Sequence, residues 1–214
     1  MKAGIIGSGT VGQTLARAFQ NEGYDVMLGT RNTSKAEVVV FNNETGIDIG
    51  TFDETAKYGD ILVLATKGDA ALEAVKLAGI ENLKGKIVID ATNPIAAAPP
   101  VNGVLQFTTN FGTSLMEQLQ QAAPGAKFVK AFNSVGSHLM YKPNVQGGKP
   151  SMFICGNDEE AKKTVSAILD AFGWETEDMG KIEAARAIEP LCILWCIPGS
   201  LNNDWAHAFK VLRP

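Results

Sequence analysis

The chain has 214 residues, of which 45% are hydrophobic and 20% charged, and its formal net charge is −4. These values fit a globular domain and exclude a disordered, collagen-like or disulfide-built protein. The acidic balance argues against nucleic acids and anionic membranes as partners. Three cysteines are too few for a disulfide framework, and the first residues lack a signal-peptide pattern. We therefore expect a soluble, cytoplasmic protein whose partner is a small molecule.

Short apolar runs rich in valine and isoleucine alternate with helical patterns along the chain. Strands are predicted at 3–6, 26–29, 60–65, 86–91, 127–132, 151–155 and 174–178, while 46–51 is ambiguous. Helical spacing follows residue 10 and recurs at 34–42, 71–78 and 114–123, and again after Asn157 and Glu160, which have capping-box spacing. This alternation predicts an α/β fold in which a doubly wound, mainly parallel sheet carries helices on both faces.

The segment from Gly7 to Gly12 reads GSGTVG, follows the first predicted strand and opens the first helix. In this setting Gly7 permits a tight turn, Gly9 lets the backbone approach a pyrophosphate, and Gly12 lets the helix pack closely on the strand. The start of the helix offers free N–H groups and a positive dipole end to the anion. The pattern therefore predicts a dinucleotide-binding domain of the Rossmann type.

The end of the second strand indicates which dinucleotide binds. Proteins that bind NAD usually place an acidic residue about 20 positions after the glycines, but Thr30 stands there, followed by Arg31 and Lys35. An acidic residue would repel a phosphate, whereas a hydroxyl, a guanidinium and an amine can hold one. We therefore predict NADP(H) as the cofactor.

Two further motifs complete a recognisable set: Asp90 to Pro94 reads DATNP, and Lys130 to Asn133 reads KAFN. With the glycine turn and the basic strand end, they resemble the NADP oxidoreductases that depend on the deazaflavin coenzyme F420. They also resemble the reductase domain of six-transmembrane metalloreductases. The resemblance covers most of the chain and is weakest after about residue 180. It implies hydride transfer between NADPH and a flavin-like or deazaflavin ring, in a protein that is commonly a homodimer.

The resemblance also assigns roles by position. The pyrophosphate would be held by Ser8, Gly9, Thr10 and Val11, and the 2′-phosphate by Thr30, Arg31 and Lys35. Residues flanking the ribose and the nicotinamide would be Ala65, Thr66, Asn93, Pro94, Ile95, Ala131, Phe132 and Asn133. Asn133 stands where archaeal deazaflavin enzymes tend to have histidine, and the segment 92–98 also departs from theirs. These departures concern the acceptor and leave the cofactor assignment unaffected.

The ends of neighbouring parallel strands should converge, because ligands of such sheets bind outside the carboxyl ends of the strands. Asn133 is the candidate catalytic residue: it would orient the nicotinamide carboxamide or the acceptor, or else cap the strand end. Lys67 would steer an anionic substrate or remain a solvated surface lysine. No metal site is expected, because His138 and His207 lack zinc-like spacing.

The domain organisation predicted is a dinucleotide-binding domain over 1–180 and a helical extension over 181–214. The extension is expected to be helical until Pro198, and its apolar stretch to be shorter than the roughly 18 residues of a membrane span. Its tryptophans would close the acceptor pocket or form a dimer seam. Two irregular segments, 94–110 and 134–150, are expected to line the cleft or form a lid.

Two other functions remain open at this stage. The first is an NADPH-dependent reductase of a small carbonyl or imine. Such enzymes usually continue into a large helical domain, whereas about 30 residues follow the last predicted strand here. The second is a non-enzymatic module that senses NADPH.

Overall fold

Eight strands form one sheet in the computed structural model, which describes residues 1–214. The spatial order of the strands is β3-β2-β1-β4-β5-β6-β7-β8. Their bounds are Lys2–Ile6 (β1), Asp25–Gly29 (β2), Asp48–Gly50 (β3), Ile61–Leu64 (β4), Ile87–Asp90 (β5), Lys127–Lys130 (β6), Ser151–Gly156 (β7) and Glu175–Asp178 (β8). Every neighbouring pair is parallel except β6 and β7.

The helices connect these strands across both faces of the sheet. Their bounds are Thr10–Asn21 (α1), Ala36–Thr45 (α2), Phe52–Tyr58 (α3), Gly68–Ala78 (α4), Ile80–Leu83 (α5), Leu115–Ala122 (α6), Glu159–Ala171 (α7), Ala185–Ile188 (α8) and Leu191–Asn202 (α9). Single 3₁₀ turns lie at Ser137–Leu139 and Ile182–Ala184. The predicted Rossmann-type, mainly parallel, doubly wound sheet is confirmed.

The core lies on both sides of the sheet because the central strands are apolar on both faces. One buried cluster of 28 residues contains the inner faces of α1 and α7, and a second of 21 residues contains those of α4 and α6. In the first cluster Phe172 makes edge or tilted ring contacts with Phe19, Phe132 and Tyr141 at centroid distances of 5.1, 5.9 and 5.2 Å. This aromatic group joins the first crossover helix to the segment that follows β6.

The antiparallel strand β7 determines which loops reach the site. Because β7 runs opposite to β6, its first residue Ser151 lies at the edge of the sheet where strands β1 to β6 end. The irregular segment 134–150 therefore lies at the same edge as the glycine turn. The segment 94–110 also lies there, because it leaves the carboxyl end of β5.

Two local details differ from the sequence prediction. Helix α3 was not predicted, although Thr51 and Glu54 form a capping box in which the threonine hydroxyl accepts from the Glu54 N–H. The N-cap of α7 is Asp158, whose carboxylate accepts from Ala161 N–H at 2.8 Å, and not Asn157. The Asn157 side chain instead accepts from Ile182 N–H at 3.1 Å and so holds the start of the C-terminal extension.

The C-terminal helix is longer than expected, since α9 continues through Pro198 to Asn202. A proline at this position leaves the carbonyl four residues earlier without its helical partner, and that residue, Leu194, lies on the exposed side of the helix. The helical stretch Ile182–Asn202 is 21 residues long and contains an 18-residue window with a mean hydropathy of 1.2, so length and composition alone would let it span a membrane. The expectation of a shorter apolar stretch was therefore wrong. In this fold a turn at Glu189 and Pro190 separates α8 from α9, and 33% of the 18-residue window is buried.

The last residues return along the sheet as an extended tail. Phe209 accepts a hydrogen bond from Ser151 N–H through its carbonyl at 2.8 Å, and Arg213 forms a paired contact with the buried Glu177 carboxylate. The charge and hydrogen bonds of Arg213 hold the pKa of Glu177 below its ordinary value. The tail thus covers part of β7 and β8.

We predict that Phe172→Ala lowers the free energy of unfolding by about 3–5 kcal/mol, because it leaves a cavity among three aromatic rings. Urea titration followed by circular dichroism measures this. The matched control is Phe111→Ala: that ring is 90% exposed, so the expected change is within about 0.5 kcal/mol. Equal losses in the two variants would contradict the assigned core.

Candidate functional site

The glycine turn has the geometry that close approach to a pyrophosphate requires. Gly7 has a φ of +126°, and a Cβ there would lie 2.4 Å from the Ala65 carbonyl oxygen. A Cβ on Gly12 would lie 1.8 Å from the Gly7 carbonyl oxygen, so this helix can pack on the strand only with glycine. At Gly9, by contrast, a Cβ would meet no atom within 4 Å. Helix α1 begins after Gly9 without a side-chain cap, which leaves its first N–H groups to a ligand.

The end of β2 lies beside this turn. Ser8 donates a hydrogen bond from its hydroxyl to the Thr30 hydroxyl oxygen at 3.0 Å, and Thr30 is almost fully buried. Arg31 is exposed and forms no ion pair or side-chain hydrogen bond. Lys35 is the N-cap residue of α2 and forms an ion pair with Glu37, whose pKa this contact lowers. Of the two cations predicted to hold a 2′-phosphate, Arg31 is thus unpaired.

Close contacts join the turns that follow β1, β4, β5 and β6 into one continuous surface. We call this surface the wall. The turn after β1 touches the turn after β4, through Gly7 and Ala65. The turn after β4 touches the turn after β5, because a Cβ on Gly68 would lie 2.0 Å from the Asn93 carbonyl oxygen. Asn93 in turn donates from its amide to the Asn133 carbonyl oxygen at 2.7 Å, which reaches the turn after β6. The predicted convergence of these turns is therefore present.

Two buried polar atoms on this wall have no partner. They are the Thr66 hydroxyl oxygen and the Asn133 amide oxygen. The Asn133 amide nitrogen is fully engaged, since it donates to Asn93 Oδ1 at 3.3 Å and to the Ile188 carbonyl at 2.9 Å. Buried polar atoms are normally hydrogen-bonded, so these two acceptors are available to a ligand at the wall. Together with the open space over Gly9, they fit a dinucleotide lying along the strand ends.

The remaining predicted positions contribute mainly through their backbones. Ala65 and Ala131 are buried, and the Phe132 ring packs in the core against Phe172. Phe132 has a positive φ of 62°, and its N–H donates to Met152 Sδ at 3.1 Å. Ile95, in contrast, is 37% exposed and presents an apolar side chain beside the wall.

Three buried charged side chains, those of Lys130, Asp90 and Glu189, form a group behind the wall. No role for this group was predicted from the sequence. Lys130 Nζ is 2.7 Å from Asp90 Oδ2 and 3.0 Å from Glu189 Oε1, and all three side chains are at most 1% exposed. Burial lowers the pKa of Lys130, but the negative charges of Asp90 and Glu189 outweigh it and raise that pKa above its ordinary value. The signal available in the sequence was a charged residue at the end of each of two predicted apolar strands.

The segment 94–110 forms a small hairpin-like flap. Ile95 bridges to Phe107 and Val101 to Val104, with positive φ values at Asn102 and Gly103 in the turn between. The tip contacts α9, because a Cβ on Gly103 would lie 2.9 Å from Leu201 Cγ. An Asn-Gly pair is typical of such a tight turn.

The histidines and the tail tryptophans pack on one another. His207 stacks on Trp195 with ring centroids 5.1 Å apart, and Trp195 donates from its indole N–H to the His207 carbonyl at 2.8 Å. The imidazole Nε2 of His138 lies 3.0 Å from the Trp205 carbonyl. The structure contains no group of three or more potential metal ligands.

Comparison with known proteins places this site in a family. The family described as NADP oxidoreductase, coenzyme F420-dependent, matches residues 2–94. The F420-dependent NADP reductase of Methanocaldococcus jannaschii is 31% identical over 203 residues, which are 89% of each chain. The present chain belongs to the F420-dependent NADP oxidoreductase family. It is an NADP-dependent oxidoreductase.

Two further proteins are similar to the present chain. The crystal structure of a proposed F420-dependent NADP-reductase from Arthrobacter sp. FB24 superimposes with a TM-score of 0.93, 32% identity and full coverage of both chains. The metalloreductase STEAP3 of Rattus norvegicus is 30% identical over 202 residues, which are 92% of the present chain and 38% of the rat protein. The chain thus spans well under half the length of that metalloreductase.

We predict that Gly9→Ala and Gly12→Ala separate binding from folding. Gly9→Ala should keep the free energy of unfolding within about 1 kcal/mol but weaken NADPH binding about tenfold or more, because its methyl group occupies the space of the pyrophosphate. Gly12→Ala should destabilise the fold by about 1–3 kcal/mol through overpacking. Thermal unfolding and calorimetric titration measure the two effects. Unchanged NADPH affinity in Gly9→Ala would contradict the position of the pyrophosphate.

Proposed function

We propose that the protein transfers a hydride between NADPH and a flat flavin-like or deazaflavin ring, with coenzyme F420 as the first acceptor to test. The relatives from Methanocaldococcus and Arthrobacter are named as F420-dependent NADP reductases, which supports this choice. The bound nicotinamide would supply the hydride. The protein would hold the two rings face to face and exclude water, which supplies most of the acceleration in such transfers.

The observation that carries the acceptor class is the character of the wall beside Asn93 and Asn133. The ionisable side chains at the ends of β5 and β6, Asp90 and Lys130, are buried and paired with each other, and Lys130 also pairs with Glu189, so they are not placed to deliver a proton to a substrate. Reduction of a carbonyl needs a proton at the developing alkoxide, whereas a deazaflavin ring accepts the hydride at carbon and takes its proton from solvent at nitrogen. An apolar surface that includes Ile95 suits the face of such a ring.

The cofactor site is proposed to run along the edge of the sheet from β2 to β6. Backbone N–H groups of residues 8–11 would hold the pyrophosphate, and Thr30, Arg31 and Lys35 the 2′-phosphate. Thr66 and Asn133 would supply the unpartnered acceptors for the ribose and the nicotinamide carboxamide. Lys67 is exposed at the start of α4 and would attract an anionic substituent of the acceptor.

We also propose that two copies associate in the cytoplasm through the flap and α9. Val101, Val104, Leu194 and Leu201 are between 43% and 60% exposed, and exposed apolar side chains that cluster in this way are typical of interfaces. All three cysteines are free, which is consistent with a reducing compartment.

Arg31→Ala is predicted to weaken NADPH binding about 10- to 150-fold, the value of one charge-assisted hydrogen bond to phosphate. NADH binding should be unchanged, because NADH lacks that phosphate. Calorimetric titration with both dinucleotides measures the difference. Arg17→Ala is the matched control, since Arg17 is exposed and pairs with Glu44 on α2 away from the site. Equal losses for NADPH and NADH would exclude Arg31 from phosphate recognition.

The acceptor is tested by stopped-flow mixing of enzyme-bound NADPH with coenzyme F420, FMN, FAD and a set of small carbonyls and imines. We expect a ring acceptor to oxidise the bound NADPH and the small carbonyls and imines to leave it reduced. With NADPH deuterated at nicotinamide C4, mass spectrometry should find the label on carbon of the reduced deazaflavin, because direct transfer places it there. Oxidation by a carbonyl or imine alone would favour the second enzyme class.

A further inference from the structure

The buried charges behind the wall form one connected group, in which a single lysine lies between two carboxylates. Lys130 Nζ lies 2.7 Å from Asp90 Oδ2 and 3.0 Å from Glu189 Oε1, and it donates a hydrogen bond to the Thr92 carbonyl oxygen at 2.9 Å. Asp90 Oδ1 accepts from both the N–H and the hydroxyl of Thr92. Glu189 accepts from the N–H groups of Leu115 and Met116, each at 3.0 Å. The surplus negative charge therefore lies at the positive end of α6.

Burying three charged side chains costs free energy, so core stability alone does not explain this arrangement. Removing three charges from water costs free energy that their mutual attraction only partly returns, and apolar side chains of similar size often serve stability as well or better. What apolar side chains cannot do is fix hydrogen-bond geometry. The group joins β5, β6, the start of α6 and the end of α8, which are four elements that meet behind Asn93 and Asn133.

The charged group is connected to the wall through two sets of contacts. On one side, Lys130 and Asp90 fix Thr92, the residue before Asn93. On the other side, Glu189 fixes the turn in which the preceding carbonyl, that of Ile188, accepts from the Asn133 amide nitrogen at 2.9 Å. With both amide hydrogens engaged, the orientation of Asn133 is determined, and its oxygen is the atom left without a partner.

We propose that the buried Lys130–Glu189 ion pair is a positioning device for the nicotinamide. It holds Asn133 so that the free amide oxygen accepts a hydrogen bond from the nicotinamide carboxamide and fixes the ring for transfer. Glu189 and Lys130 act through Asn133 and do not contact the cofactor. The inference rests on the proposed position of the nicotinamide at this wall.

The test compares two ligands that differ only in the nicotinamide, NADPH and 2′-phospho-ADP-ribose, by calorimetric titration of the full chain. The wild-type protein should prefer NADPH, and Asn133→Ala should reduce that preference about tenfold, the value of one well-made hydrogen bond in a desolvated site. Glu189→Gln should reduce it several-fold, with binding of 2′-phospho-ADP-ribose unchanged. The buried Asp90–Lys130 pair remains neutral in this variant, which favours folding.

The double variant Glu189→Gln/Asn133→Ala distinguishes a positioning role of Glu189 from a merely structural one. If Glu189 acts through Asn133, the double variant should lose no more preference than Asn133→Ala alone. If the two losses multiply, or if Glu189→Gln weakens both ligands equally, the proposal is wrong. A wild-type protein that binds both ligands equally would also overturn it.

Glu117→Gln is the matched control. Glu117 also accepts from the start of α6 and pairs with a cation of α8, Arg186, but it has no contact with Lys130 or Asn133. It should leave the ligand preference unchanged, and an equal loss in this variant would contradict the proposal. If Glu189→Gln does not fold, the same ligand preference is measured in Glu189→Asp. That variant retains the charge but shortens the side chain by one methylene group. None of these measurements uses an acceptor, so a failed acceptor panel leaves their outcome intact.

Discussion

A lysine with no access to solvent can remain charged only where carboxylates are fixed within reach of it, and that constraint organises the centre of this molecule. Lys130 lies directly opposite Asp90 in the register of two parallel strands, and Glu189 arrives from the C-terminal extension to complete the group. Displacing β5, β6 or α8 would leave an uncompensated charge in a medium that solvates it poorly. The ends of the two strands and the extension are therefore held in one mutual arrangement.

That arrangement gives the two halves of the site different origins. The half proposed for the pyrophosphate depends on close backbone approach, since a Cβ on Gly12 would clash with the Gly7 carbonyl and a Cβ on Gly9 would meet no atom within 4 Å. The half proposed for the nicotinamide depends on side chains, since Asn93 and Asn133 hydrogen-bond each other across a turn and both are supported from behind. The first half needs only local chain geometry. The second requires that residues far apart in sequence meet.

The family model covers residues 2–94, which include the glycine turn, the basic strand end and Asn93. The flap, the turn at Asn133 and the extension all follow it, and they are the parts that surround the proposed acceptor position. Similarity to a reductase of about the same length and to part of a much longer metalloreductase is consistent with this division. The same type of dinucleotide-binding domain thus occurs both in a reductase of similar length and as part of a longer metalloreductase.

The sequence by itself determined seven of the eight strands, most of the helices and the glycine turn after β1, because each depends on residues that are neighbours along the chain; only β3 was left ambiguous. Apolar runs specify buried strands, and glycines at fixed spacing specify a turn whose clashes are local. It did not determine helix α3, although the capping pair Thr51 and Glu54 was visible, or the passage of α9 through Pro198, which intrinsic helix preference disfavours.

Only the tertiary structure decided that Asp90 and Lys130 stand opposite each other, that Glu189 joins them, and that the amide of Asn133 is engaged while its oxygen is free. The physical reason is that strand register and the docking of the extension follow from how the whole core packs. No short-range pattern encodes the partner of a residue 59 positions away, such as Glu189 for Lys130.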